Sequence, residues 1–269
     1  MKRFTAILLT LIMTVGMSCV TVFADSDVNA FVSIADGSGK LVVAREAVKV
    51  NDADGDGSIT INDALIAAHD KFYEGGAEAG YGSYTGDYGL SMSKLWGDEN
   101  GGSYGYYVNN ASAWSLADPV KEGDSVYAFV YTDLVGWSDA YSWFTEGTVS
   151  AKAGDEVTLT LKSLGYDADW NPVENAVEGA VIYVNGAATE AVTDAEGKAV
   201  VKLADAGKAV ISAKSDSVTL VPPVCIATVA AALPKTGTVP AGVFVFAGLA
   251  VIALGGVMAG AGRKNYNEI

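Results

Sequence analysis

Cysteine is nearly absent from this sequence: its 269 residues include two, Cys19 and Cys225. Cys19 falls in the apolar N-terminal stretch, and a chain left with one thiol cannot build an intramolecular disulfide framework. Its stability must therefore come from an apolar core, a bound metal or both. Cys225 stands between Val224 and Ile226, a setting that predicts a buried and unreactive thiol.

Histidine and positive charge are also scarce. The single histidine, His69, has no second histidine or suitable cysteine with which to hold zinc, and is interpreted as a polar-face or C-terminal-turn residue of a helix. The net charge of −15 at pH 7 excludes nucleic acid as a predicted partner, because such contacts depend on lysine and arginine. No pair of carboxylates stands apart from the other surface acids as a glycosidase would require, so no enzyme activity is predicted.

The N-terminus has the pattern of a secretory signal peptide. Lys2 and Arg3 precede an apolar stretch over residues 6–15, and Val22-Phe23-Ala24 fits the small-x-small rule for cleavage. The pattern predicts a signal peptide over residues 1–24. An N-terminal membrane helix is the weaker interpretation because the apolar stretch is short and interrupted.

The C-terminus has a second long uncharged run. Residues 239–262 carry no charge and can cross about 30 Å of hydrocarbon as a helix. Arg263 and Lys264 follow on the side where the positive-inside rule places cations. The run therefore predicts a transmembrane helix over residues 239–262.

A pentapeptide precedes this helix: Leu233, Pro234, Lys235, Thr236 and Gly237. Together with the apolar run and the two cations, it resembles the LPxTG sorting signal of Gram-positive surface proteins, here spanning residues 230–269. The resemblance implies that sortase cuts between Thr236 and Gly237 and joins the Thr236 carboxyl group to peptidoglycan. The protein would then be secreted and covalently anchored to the cell wall, and in the membrane only before sorting. An ordinary membrane anchor is the alternative.

An acidic, glycine-rich segment over residues 52–63 has the spacing of a calcium-binding loop. Carboxylates fall at positions 1, 3, 5 and 12, and glycine stands at position 6, where such loops turn sharply. Hard oxygen ligands in a flexible loop favour Ca²⁺. The predicted ligands are Asp52, Asp54, Asp56, Ser58, Thr60 and Asp63. The alternative is an acidic turn without metal, which would leave the repulsion among four carboxylates unrelieved.

The aspartate at the last loop position resembles dockerin modules and extracellular calcium-binding repeats. A dockerin has two such loops and this chain has one, so cohesin is not predicted as a partner. Directly after the loop, Thr60 and Asp63 have capping-box spacing, and an apolar face begins at Ile61 and Leu65. A helix is therefore predicted, ending before Gly75.

The first half of the chain, residues 25–141, is predicted to be an α+β domain. Strand-like segments lie at residues 28–34, 40–44, 90–96, 104–109 and 125–131, and residues 75–89 are predicted to be a loop. Residues 46–50 are either a further short strand or the end of the second strand. A hairpin, a helix and further strands in this order fit a β-grasp-like arrangement. Segments 94–97, 105–110 and 120–126 are similar to a small secreted bacterial domain related to the C-terminal domain of transcobalamin. That resemblance implies a corrinoid or another flat small molecule as a ligand.

Aromatic residues are dense in this half. Alternation along residues 125–131 sends Tyr127, Phe129 and Tyr131 to one side of a strand, which is either a stacking platform for a ligand or part of a two-sided core. Several tryptophans stand in or beside loop-like stretches, where binding residues concentrate. The candidate ligand-binding residues are Trp96, Tyr106, Trp114, Trp137 and Trp143.

The second half, residues 142–229, is predicted to be an all-β sandwich. Short strand signals at residues 148–151, 156–161, 180–184, 199–203, 209–213 and 218–221 are separated by turn sequences. The turn over residues 193–199 is similar to that of prealbumin-like surface repeats, which implies an Ig/prealbumin-like domain. Residues 215–229 contain no Asn to accept the isopeptide bond of such repeats, so no crosslink is predicted.

Three functions fit these patterns. The first is a wall-anchored, calcium-stabilised module that binds an extracellular glycan, protein or small molecule. The second is capture of a corrinoid or other small nutrient at the cell surface, and the third is a structural or adhesion protein without a small-molecule pocket.

Overall fold

The computed structural model describes residues 27–87 and 89–232. The predicted signal peptide and the predicted sorting signal from Leu233 onward, including residues 239–262, lie outside the described residues. Residues 27–232 belong to one compact unit, and most of its regular structure is β-strand.

The first half consists of seven strands and two helices within the described residues. They are β1 (Val28–Ala35), β2 (Leu41–Val50), α1 (Ile61–Phe72), α2 (Gly76–Gly80), β3 (Gly82–Gly86), β4 (Gly89–Lys94), β5 (Tyr104–Val108), β6 (Ala111–Ser112) and β7 (Ser125–Val130). The predicted hairpin and helix are confirmed, and the 46–50 segment is the end of β2 rather than a separate strand.

Five of these strands form one mixed sheet in the order β2-β1-β7-β5-β6. Its central pair, β1 and β7, is parallel, whereas β1–β2 and β5–β7 are antiparallel. Helix α1 packs on this sheet because its apolar residues Ile61, Leu65 and Ala68 share one buried core with strand residues such as Val32 and Val126.

The loop predicted over residues 75–89 is wrong. This segment contains α2 and strand β3, and β3 pairs antiparallel with β4 in a separate two-stranded sheet. The central residues of β3, Ser83, Tyr84 and Thr85, are all exposed. Because no face of β3 is buried in a core, the alternation of apolar and polar residues that reveals a strand is missing.

The second half consists of nine strands. They are β8 (Ser142–Phe144), β9 (Thr148–Lys152), β10 (Glu156–Tyr166), β11 (Pro172–Ala176), β12 (Val181–Val184), β13 (Ala187–Val192), β14 (Lys198–Lys202), β15 (Gly207–Lys214) and β16 (Cys225–Ala230). One sheet has the order β11-β10-β14 with β8 also paired to β10, and the other has the order β13-β12-β15-β16-β9. Both sheets contribute to one aliphatic core, in which Cys225 is fully buried as predicted.

The strand predicted at residues 218–221 is wrong. Only an isolated bridge, between Leu220 and Ala140, forms there, and the final strand begins at Cys225. Pro222 and Pro223 explain the displacement, since a proline lacks the N–H that a strand donates to its neighbour.

A third core, of mainly aromatic side chains, joins the two halves. It consists of Ala35, Tyr107, Tyr127, Phe129, Tyr141, Trp143 and Val221. The rings of Tyr107 and Tyr141 stack with centroids 3.7 Å apart and planes 2° from parallel. The ring of Phe129 lies over Gly105, where a Cβ would come within 2.4 Å of it, so only glycine fits there.

This third core decides between the two interpretations of the aromatic strand face. Val126, Ala128 and Val130 of β7 point to the core beneath α1, and Tyr127 and Phe129 point to the aromatic core. Both faces of β7 are therefore covered, and its aromatic side is not an open stacking platform. Among the described residues, no helix is long and apolar enough to cross a bilayer.

Candidate metal centre and aromatic groove

Three carboxylates converge where the acidic loop enters helix α1. Oxygen atoms of Asp52, Asp54 and Asp63 lie within 4.8 Å of one another. At that separation each pair of charges repels by about 1 kcal/mol at the dielectric constant of water and by about 3 kcal/mol at an effective value of 20. A divalent cation bound among them would replace this repulsion with attraction.

Asp63 is held in place by the start of the helix. Thr60 is the N-cap, and its backbone N–H and hydroxyl both donate to Asp63 Oδ2, at 2.9 and 2.6 Å. The other oxygen, Oδ1, accepts from the backbone N–H of Ala53 at 2.8 Å. This carboxylate is fully buried, so the predicted capping box also fixes one corner of the acidic cluster.

Asp52 organises the turn of the loop. Its Oδ1 accepts backbone N–H groups from Gly55 at 2.7 Å and Asp56 at 3.1 Å, and its Oδ2 accepts that of Gly57 at 2.9 Å. Gly57 has φ +92°, a conformation that glycine adopts without strain and other residues rarely adopt. The glycine at loop position 6 therefore has the turning role that the sequence assigns to it.

Asp54 connects the cluster to the core beneath the helix. Its Oδ2 accepts from the side-chain amide of Asn62 at 2.9 Å, and Asn62 Oδ1 accepts from the Tyr81 hydroxyl at 2.8 Å. Burial raises the pKa of Tyr81 far above its ordinary value, so this tyrosine remains a neutral donor. The hydrogen-bonded chain makes the position of Asp54 depend on the folded core.

The other predicted ligands are placed differently. The Asp56 carboxylate lies outside the cluster and accepts the backbone N–H of Ser58 at 2.8 Å. Ser58 is exposed, and the Thr60 hydroxyl is engaged with Asp63 as the helix cap. The structure thus brings together three of the four predicted carboxylate ligands.

His69 is not the polar-face residue expected from the sequence. It lies in the last turn of α1, as predicted, but is fully buried among the rings of Tyr73, Tyr81 and Trp96. Nδ1 lies 2.7 Å from the carbonyl oxygen of Leu65, and Nε2 accepts the backbone N–H of Trp96 at 3.2 Å. Burial lowers the pKa of His69, so the ring is neutral and serves as a structural link.

The candidate ligand-binding aromatics fall into three environments. Trp96 and Tyr106 are half-buried against the core of the first half. Trp143 is 8% exposed and lies on strand β8 within the aromatic core, so its predicted place beside a loop is corrected. Trp114 and Trp137 are 91% and 61% exposed, as loop residues free to bind a ligand should be.

Trp114 belongs to a groove between the two halves. This groove has a volume of about 830 Å³ and runs between β6, the edge of the first sheet, and the hairpin of β10 and β11. Its apolar and aromatic lining includes Trp114, Trp143, Leu164, Tyr166 and Val173. We call this feature the aromatic groove.

Sequence reasoning missed Tyr166 and its neighbour Trp170. Both are strongly exposed, with ring centroids 6.2 Å apart, at the turn between β10 and β11. The sequence did contain a signal: two large aromatic residues stand in a polar turn around Asp167. A turn does not need large aromatic side chains, so these two could have been identified as candidate binding residues.

Comparison with known proteins adds no family name: no protein-family model matches the chain, and no curated protein is significantly similar to it.

Proposed function

We propose that this chain is a cell-wall-anchored surface protein that displays a calcium-stabilised ligand-binding module. The observation that carries the proposal is the convergence of the Asp52, Asp54 and Asp63 carboxylates at the start of α1. Calcium bound there would stabilise the loop, the helix cap and, through Asn62, the core of the first half.

The strand order supports a β-grasp-like assignment for the first half. A hairpin, a helix across one face and a central parallel pair formed by the first and last long strands are the features that such a fold requires. In the second half, two sheets around one core support the Ig/prealbumin-like assignment. In this proposal the second half lies next to the sorting signal, and the first half is the outward module.

The aromatic groove is the proposed ligand-binding surface. Exposed tryptophan and tyrosine rings in a concave apolar site are typical of sites that bind sugars or other ligands by stacking. Trp114 is nearly fully exposed, so its ring contributes little to the core and remains available to a ligand.

Equilibrium dialysis of Ca²⁺ against the purified chain tests the metal site. We expect one site, with a dissociation constant of about 0.1–1 mM, the range of extracellular calcium modules. Asp54→Asn should abolish this binding. The matched control is Asp169→Asn, which removes another exposed carboxylate, from a loop of the second half. Equal binding by both variants, or none by the parent chain, would refute the proposed site.

Incubation with sortase and a glycine nucleophile tests the anchoring. The expected product ends at Thr236 in a new amide bond to the nucleophile, as read by mass spectrometry. Thr236→Ala should give no product, whereas Thr238→Ala, two residues beyond, should react. A chain that sortase leaves intact would exclude covalent anchoring while leaving the calcium site unaffected.

A further inference from the structure

A second, smaller cavity lies beside the aromatic groove and is more polar than the groove. Its volume is about 240 Å³, and it shares Asn110 and Trp143 with the groove. Its lining mixes polar groups with apolar residues such as Val126 and Phe144, and includes one charged residue, Arg45. Although the chain carries 32 acidic residues, none of the described residues that line this cavity is Asp or Glu.

The guanidinium group of Arg45 has few partners. Nη1 donates to Ser125 Oγ at 2.5 Å, and Cζ lies 4.7 Å from the centroid of the Phe31 ring. Nε is buried and has no hydrogen-bond partner among the described residues, and no described carboxylate forms an ion pair with this side chain. Because Nε is out of reach of solvent, a ligand in the cavity would meet the terminal nitrogens of the guanidinium group, and Nη1 keeps one N–H beyond the one that it donates to Ser125.

Backbone geometry directs Arg45 toward the cavity. The register of β1 with β2 shifts next to it, and Arg45 itself has φ +46°, a left-handed conformation that is strained for a long side chain. Its backbone N–H donates to Ser33 Oγ at 3.1 Å, which holds the bulge in place. Strain of this kind persists only where the surrounding structure maintains it, and it concentrates at functional sites.

The lining of the cavity also includes a second donor, Asn110. Asn110 lies in the turn between β5 and β6, and its Oδ1 accepts the Tyr141 hydroxyl at 3.0 Å. This contact orients the amide, whose nitrogen makes no hydrogen bond with any described residue. Arg45 and Asn110 therefore offer donors to a group that only accepts.

We propose that this cavity binds a monosaccharide acid, with the sugar carboxylate on Arg45. The planar fork of a guanidinium matches a carboxylate through two parallel hydrogen bonds. Hydroxyl and amide groups of Ser33, Asn110 and Thr145 line the remainder and suit sugar hydroxyls. The cavity is smaller than the roughly 300–1,000 Å³ of drug-sized sites, which favours a single sugar.

Neither calcium binding nor anchoring is required for this inference. Because the chain as a whole is strongly acidic, long-range electrostatics oppose an anion. Selectivity for the carboxylate must therefore come from the short-range contacts of Arg45. The shared residues Asn110 and Trp143 would allow an acidic oligosaccharide to continue from the cavity into the aromatic groove.

Titration of the full-length purified chain with D-glucuronate, observed by ligand NMR, tests the proposal. D-glucose, which has the same ring without the carboxylate, should bind at least about tenfold more weakly, as expected for the loss of a charge-assisted hydrogen bond. Arg45→Gln should weaken glucuronate binding by about tenfold or more and leave the glucose affinity unchanged. Lys49→Gln, which removes an exposed cation from the same strand, is the matched control and should change neither.

A second variant keeps the proposal testable if Arg45→Gln fails to fold. A methyl group at Gly147 would lie 3.5 Å from Arg45 Cζ, an ordinary contact, so Gly147→Ala narrows the cavity and keeps the charge. We expect it to weaken glucuronate binding as well. Equal affinity for glucuronate and glucose, an unchanged glucuronate affinity in Gly147→Ala, or no saturable binding up to about 10 mM would overturn the proposal.

Discussion

The two halves of the molecule differ in what lies inside them. Among the described residues, the buried groups of the first half include two carboxylates, Asp63 and Asp139, and the histidine His69. The core of the second half is mainly aliphatic, with Phe144 as its one buried aromatic residue, and its one buried titratable group is Cys225. Burial raises the pKa of that thiol to about 12, so it remains neutral in ordinary buffers. The buried groups that can carry a charge near neutral pH therefore lie in the first half, apart from this neutral thiol.

The aromatic core connects these two unlike halves. Tyr127 of β7 donates its hydroxyl to the carbonyl oxygen of Pro222 at 2.6 Å, and the backbone N–H of Val221 donates to the carbonyl oxygen of Ala140 at 2.9 Å. A change in the stability of the first half should therefore reach the second through these contacts.

The largest expected effect comes from breaking the aromatic core. Phe129→Ala removes a fully buried ring, and we expect a loss of about 3–5 kcal/mol in the free energy of unfolding. Urea unfolding measured by tryptophan fluorescence and by far-UV circular dichroism should give one coincident transition, because both halves lose the same contacts. Tyr84→Ala, at an exposed ring, should change stability by less than about 0.5 kcal/mol. Two separate transitions in Phe129→Ala would show that the halves unfold independently.

Calcium should stabilise the first half locally more than it stabilises the second half. At a hundredfold excess over the dissociation constant, a ligand that binds only the folded state stabilises it by about 2.7 kcal/mol. Hydrogen exchange of amides that open by local fluctuation, and not by global unfolding, measures this effect. For such amides we expect slower exchange in α1 and at Gly55 and Gly57 when calcium is bound, with little change in β15. Asp54→Asn should remove the difference and Asp169→Asn should retain it. Equal protection of α1 and β15 would place the effect of calcium elsewhere.

Acid should destabilise the first half through His69. Burial lowers the folded-state pKa below the ordinary 6.5, so folding is favoured by the neutral ring above that pH, and this contribution is lost as the pH falls through the folded-state pKa. The slope of the free energy of unfolding against pH should not exceed about 1.4 kcal/mol per pH unit for one group. Urea midpoints between pH 5 and 8 measure it, and His69→Gln should flatten the profile. Since the chain has one histidine, a slope that survives the substitution would contradict the assignment.

The smallest effect on stability is expected at the aromatic groove. Trp114→Ala should change the free energy of unfolding by less than about 0.5 kcal/mol, because the side chain is 91% exposed. Binding to a glycan array should nevertheless fall in this variant and in Tyr166→Ala. Trp137→Ala, an exposed tryptophan outside the groove, is the control. A loss of binding in Trp137→Ala alone would show that the ligand binds at the loop that carries Trp137 and not at the aromatic groove.

Local sequence patterns predicted the local structure well. The capping box of Thr60 and Asp63 and the turn at Gly57 depend on residues within twelve positions of one another, so spacing alone identifies them. The β1–β2 hairpin is readable for the same reason. The predicted metal ligands converge only in part, because the Asp56 side chain is engaged with the adjacent backbone.

The features that the sequence did not predict depend on distant contacts. Trp96, 27 residues further along the chain, packs against His69. This contact buries a helix position that the local sequence predicts to be on the polar face. Trp114, in the loop that follows β6, and Tyr166, the last residue of β10, line one groove from opposite halves. Composition and periodicity carry no information about which sheet edges pack against each other. The packing of edges from the two halves forms both the aromatic groove and the Arg45 cavity.

The position of β16 has a mechanical consequence. This strand is interior to its sheet, bonded antiparallel to β15 and parallel to β9 over residues 226–229. Tension applied along the chain from its C-terminal side would pull β16 lengthwise between two neighbours. Its backbone hydrogen bonds would then be loaded in shear and resist together, whereas a strand peeled from an edge loses them one at a time.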